Sequence, residues 1–171
     1  MNIPEKSKLE RKSYDYIDCF SAMVDDPNDS LTPMTVCKAF INSAPQFVET
    51  LMGLRNKMVK VAGLKTGEDQ PSTRAEALNQ FTGKPGEYLG LFKIYEHTDT
   101  EIILGEDDKH LDFRLSLLLT PSDSRSQKLS MTTVVTYNNW MGPLYFTVVK
   151  PFHKVIAKAM LKAIVKEIEK F

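Results

Sequence analysis

The chain has 171 residues, 42% of them apolar and 26% charged, which suits a single globular domain with a sizeable core and excludes wholesale disorder. Its 22 basic residues equal its 22 acidic ones, so no global field collects nucleic acid or coats an anionic membrane, and such a partner would need a local patch. No run approaches the roughly 18 apolar residues that span a bilayer.

Residues Met1 to Lys12 are polar and lysine-bearing, with no apolar segment of the kind a signal peptide needs. They are expected as a flexible tail over 1–12, ahead of a single domain over 13–171, with the cytoplasm as the compartment. Cys19 and Cys37 form no C-x-x-C pair and lie among apolar residues. One disulfide is arithmetically possible, and two reduced, buried thiols are the expectation. A first strand is expected over Tyr14 to Phe20, followed by turn chemistry from Asp25 to Ser30. Thr32-Pro33 has the form of a helix start, with Thr32 as N-cap, and Val36, Cys37, Phe40 and Ile41 make one apolar face. Ser43 and Gln46 have capping-box spacing and predict a second helix running down to Gly63. From Leu64 to Gly90 the pattern weakens, and Gly83 to Gly86 reads as a loop.

Beyond this the period changes to two. Leu91–His97, Glu101–Gly105, His110–Thr120 and Gln127–Tyr137 read as an antiparallel meander, with Pro121 to Ser124 breaking the third of these strands. Apolar Leu111, Phe113, Leu115, Leu117 and Leu119 share one strand face, and His110, Asp112, Arg114 and Ser116 share the other. After Asn138-Asn139 the chain turns helical, and Pro151 to Phe171 reads as an amphipathic helix. Its lysines recur every fourth residue from Lys150 to Lys170. That repeat drifts about 40° per step on an α-helix, so it is no single basic stripe. A packing helix is therefore favoured over one lying on a membrane or an acidic partner. Strands segregate from helices, which argues for an α+β fold.

The densest polar run is Gly105 to Arg114, GEDDKHLDFR. Read as a catalytic site, it offers His110 as general base, Asp112 as its orienting partner and Arg114 as an anion clamp. Read as structure, it is one solvated face of a sheet with a surface ion pair. The histidines are too far apart in sequence to suggest a metal set, and phosphate-loop, dinucleotide and nucleophile-elbow motifs are absent. No metal and no cofactor is expected. Trp140, Tyr145 and Phe152 cluster near the start of the last helix, where they suit a core or the end of a cavity.

GEDDKHLDFR resembles the signature of a bacterial domain family of unknown function, and GPLYFTVVKPFHKVIA (142–157) is similar to its closing segment. Ser43-Ala44-Pro45 and Gly63 to Thr66 resemble its N-terminal half. That family looks like a branch of the SRPBCC, or START-like, helix-grip superfamily. The resemblance implies a curved antiparallel sheet wrapped around a long C-terminal helix, with a cavity between them for a small apolar or amphipathic molecule. Tyr145, Phe152, Ile156, Met160 and Trp140 are the expected lining. A ligand-binding protein is thus the first expectation, without nucleic acid and without stable membrane insertion. An enzyme of the polyketide-cyclase or aromatase type using His110, Asp112 and Arg114 is the second. An accessory module for a nucleotide-binding epimerase or oxidoreductase is the third, since relatives occur fused behind such domains.

Overall fold

Successive side chains of a strand point to opposite faces of its sheet, and this alternation organises the molecule. The computed structural model describes residues 2–43, 81–89, 92–123 and 125–170. Along it run β1 (Tyr16–Asp25), α1 (Pro33–Ser43), β2 (Tyr88–Leu89), β3 (Phe92–His97), β4 (Glu101–Asp107), β5 (Leu111–Asp123), β6 (Ser126–Tyr137) and α2 (Met141–Ile168). The strands form one sheet in the order β1-β6-β5-β4-β3-β2, and every neighbouring pair is antiparallel. The α+β expectation therefore holds: a meander from β2 to β6, with β1 added at the far edge.

One face of the sheet carries the helices. Leu115, Leu117 and Leu119 of β5 meet Ile94, Ile102, Leu104, Leu129 and Met131 from the neighbouring strands. Against them pack Val36, Cys37 and Phe40 of α1 and Ala157, Met160, Leu161 and Ile164 of α2. Burying each large aliphatic chain contributes about 1.5–3 kcal/mol. α1 begins where its capping chemistry predicts, with the Thr35 amide donating to Thr32 Oγ1 at 3.2 Å. Both cysteines are free thiols, and burial pushes the Cys37 thiol up to about 12. The second helix expected from Ser43 lies outside the described residues.

The opposite face is not simply wet. Leu9 is buried there with Ile103 and Val134, and Ile3, Tyr14, Ile17 and Tyr95 pack around them. Residues 2–12, expected as a tail, lie across this face. Their anchor is Glu101, a carboxylate only 1% exposed. It accepts from Ser7 Oγ at 2.6 Å, from the Lys8 amide at 2.5 Å, and from Ser116 Oγ.

Several boundaries differ from expectation. β1 continues to Asp25, because Phe20, Ala22 and Val24 keep the inward parity of Tyr16. β5 runs through Pro121 to Asp123, with a register shift between them and the turn following. A proline is tolerated where the ladder is already irregular. α2 starts at Met141, ten residues before Pro151, so the proline lies inside the helix and not at its start. It offers no amide to the carbonyl of Thr147.

Candidate functional site

Tyr16, Asp18, Phe20, Ala22 and Val24 share the inward parity of β1, so an aspartate is delivered into the layer between sheet and α2. Asp18 is 1% exposed. Opposite it, His153 on α2 places Nε2 at 3.0 Å from Asp18 Oδ2, and the Tyr16 hydroxyl donates to the same oxygen at 2.7 Å. Thr133, the register partner of Asp18 on β6, stands beside the carboxylate. The Phe146 ring closes one side, with centroids 4.7 Å from Tyr16 and 6.4 Å from His153.

The electrostatics follow from this packing. Burial pushes the Asp18 carboxyl up, but His153, the Tyr16 hydroxyl and Thr133 outweigh it and hold the group below the ordinary carboxylate range. Tyr16 is raised, first by burial and then by the carboxylate it bonds. Satisfaction is nevertheless incomplete. His153 Nε2 makes an ion-pair contact without hydrogen-bond alignment, and Asp18 Oδ1 has no well-aligned hydrogen bond among the described residues, although the Thr133 hydroxyl stands beside the carboxylate. Such an acceptor in a buried layer calls for a donor.

The polar motif over 105–114 is placed differently. His110 Nδ1 meets the Asn139 amide at 3.1 Å. Asp112 accepts from Asn138 Nδ2 at 2.7 Å. Arg114 pairs with Asp107 at 2.7 Å, donates to the Phe113 carbonyl at 2.8 Å, and stacks 3.5 Å above the Tyr95 ring. The three side chains thus have three separate sets of partners, and no side-chain hydrogen bond joins His110 to Asp112. Asn138 and Asn139 also donate to the carbonyls of Asp108 and Lys109, both at 2.8 Å, tying the β4–β5 turn to the start of α2. Gly142 belongs to this junction, since a Cβ there would stand 2.5 Å from the His110 carbonyl oxygen.

Asp112 and Arg114 line a groove of about 280 Å³ on the sheet face away from α2, walled by Lys8, Leu9, Tyr14 and Tyr95. Of the expected cavity lining, Met160 is buried in the core, with Ile156 packed against it. Tyr145 packs on the aromatic cluster around Phe146. Phe152 and Trp140 are largely exposed on α2 and at its N-cap. Nor do the described residues contain a group of three or more His, Cys, Asp or Glu side chains able to hold a metal.

Sequence reasoning passed over the Asp18–His153 pair. Half of its signal was present, since Asp18 interrupts an otherwise apolar inward set on β1. The other half, the pairing with a histidine 135 positions later, is a product of the tertiary structure.

The model of the family described as "Protein of unknown function (DUF2867)" matches residues 11–160. The chain belongs to the DUF2867 family. The DUF2867 match spans both the 105–114 motif and the Tyr16–Asp18–His153 cluster. No curated protein matches the sequence. Among solved structures, Ara h 8.0201 aligns with 91% of this DUF2867 chain and 100% of its own, at 13% identity and a TM-score of 0.38. That likeness is too slight to transfer detail of fold or function.

Proposed function

We propose that this DUF2867 protein binds a small apolar or amphipathic molecule between the sheet and α2. Asp18 and His153 would hold its polar end. One observation carries the reading: a carboxylate buried between sheet and helix whose Oδ1 has no well-aligned donor among the described residues. Burying an unpaired polar atom costs about 1–3 kcal/mol, and a ligand hydroxyl or amine meeting Oδ1 would offset that. Ile156 and Met160 on α2 supply apolar wall near the pair, and Phe146 and Tyr16 supply aromatic surface. The arrangement suits the helix-grip architecture that the sequence motifs resemble. Catalysis at the 105–114 motif has less support, because His110 and Asp112 are each bonded to an asparagine at the head of α2.

Native mass spectrometry of the purified protein, with a thermal-shift panel of fatty acids, sterols, aromatic polyketides and their hydroxylated analogues, tests the reading. A retained or stabilising ligand is expected, preferring compounds with a hydroxyl or amine, and Asp18→Asn and His153→Ala should each weaken it about tenfold or more. No ligand and no shift across the panel, or binding indifferent to both substitutions, would overturn it.

A further inference from the structure

Trp140, at the N-cap of α2, begins a series that continues with Leu144, Val148, Phe152 and Val155 on the helix, and all five are between 45% and 74% exposed. At about 100° per residue these positions fall within an arc of roughly 120°, and they extend over about 22 Å of helix. They face away from Phe146, Val149, Ala157 and Met160, the buried side of the same helix. The outer surface of the first half of α2 is therefore a continuous apolar ridge, where a one-sided packing helix would carry polar groups.

The charge around it has one sign. Between Asn138 and Lys166 the chain has Lys150, Lys154, Lys158, Lys162 and Lys166 and no aspartate or glutamate. Lys154 borders the ridge, Lys158 and Lys162 carry its arc on toward the C-terminus, and Lys150 lies on the flank nearer the sheet. All four are exposed. Lys150 and Lys158 also lean over the rings of Tyr16 and Phe20 on β1, at 5.4 and 5.5 Å, along the flank of α2 nearer the sheet. The periodic lysines are thus one part of a surface whose other part is apolar.

From this we infer that the outer face of α2 docks on an anionic lipid surface, with Trp140, Leu144, Val148 and Phe152 in the headgroup–acyl boundary and the lysines on lipid phosphates. An interfacial helix combines these features: large apolar side chains including tryptophan on one face, lysines beside them, and too little apolar length to span. A second copy fits worse, because a two-fold contact through this face would bring two sets of lysines together, with no acidic residue between Asn138 and Lys166 to separate them. A protein groove fits worse too, since protein sites for an apolar ridge depend on matching shape, whereas a lipid surface needs only apolar area and negative charge.

The chain carries its own reporter, for Trp140 is its single tryptophan. The full-length protein is mixed with phosphatidylcholine vesicles, with and without phosphatidylglycerol, and followed by tryptophan emission and co-sedimentation. The expected result is a blue shift and pelleting with phosphatidylglycerol only, weakened by added salt. Leu144→Glu with Phe152→Glu should lower the apparent affinity at least about tenfold, and Lys154→Glu with Lys158→Glu should remove most of the lipid selectivity. These side chains are exposed, so circular dichroism and the thermal melt should be unchanged in both double variants. Three results would overturn the inference: unshifted emission with the protein left in the supernatant; a dimer in sedimentation velocity that Leu144→Glu with Phe152→Glu dissolves; or binding to an acidic polypeptide without binding to vesicles.

Discussion

Asp18 and His153 show how one inward-facing polar residue reshapes a core. Removing the histidine leaves a buried carboxylate without its cross-layer partner, whereas Asp18→Asn removes the charge itself. His153→Ala should therefore destabilise the fold by about 3–5 kcal/mol, and Asp18→Asn by clearly less. Urea denaturation checks this, and equal losses would show that charge burial is not the governing cost. The pH dependence has a definite sign. The folded Asp18 carboxyl lies below its unfolded value of about 3.9, so its stabilisation is complete above that value. It is lost as pH falls through the folded value. Melts below about pH 4 should drop more steeply in wild type than in Asp18→Asn. The aspartate was legible as an anomaly of parity on β1. Its partner was not, because strand alternation says nothing about which helical residue will stand across the layer.

The N-terminal segment and α2 are the elements whose sequences misled most. Polar, lysine-bearing residues suggested a tail, but Leu9 and the Glu101 anchor bind them to the sheet. Glu101→Ala leaves Ser7 Oγ, Ser116 Oγ and the Lys8 amide without their acceptor, a loss of about 1–3 kcal/mol. Limited proteolysis should then cut before Tyr14 at protease levels that spare the wild type. In α2, Pro151 sits inside a continuous helix and removes one backbone hydrogen bond. Pro151→Ala should raise the melting temperature, by up to about 3 kcal/mol in stability. A lowered melting temperature would mean that the proline fits a local geometry alanine cannot hold. The strands were far more legible: β3, β4 and β6 lie within a residue or two of expectation, because alternation over a half-buried sheet writes itself directly into sequence.

Across the whole molecule, two surfaces of α2 divide the functional reading. Its inner side meets Asp18 and the sheet, where a ligand is proposed, and its outer side carries the apolar ridge. The 105–114 motif contributes at a distance by fastening the β4–β5 turn to the head of α2. Asn138→Ala with Asn139→Ala should loosen that junction, costing about 1–3 kcal/mol and speeding amide exchange over residues 141–149. Unchanged exchange there would separate the motif from the placement of α2.

The α+β class, the antiparallel meander, the start of α1 and the inward face of β5 could all be derived from residue order. Each depends on a local period or cap that neighbouring residues supply. The faces of α2, the docking of residues 2–12 and the Asp18–His153 pair could not. A helical period identifies an apolar side but cannot say whether a further apolar row will be covered. A buried pair between residue 18 and residue 153 exists only once β1 and α2 are packed together. Long-range contact, not propensity, decides those features, and the proposed ligand site and lipid-docking face both depend on them.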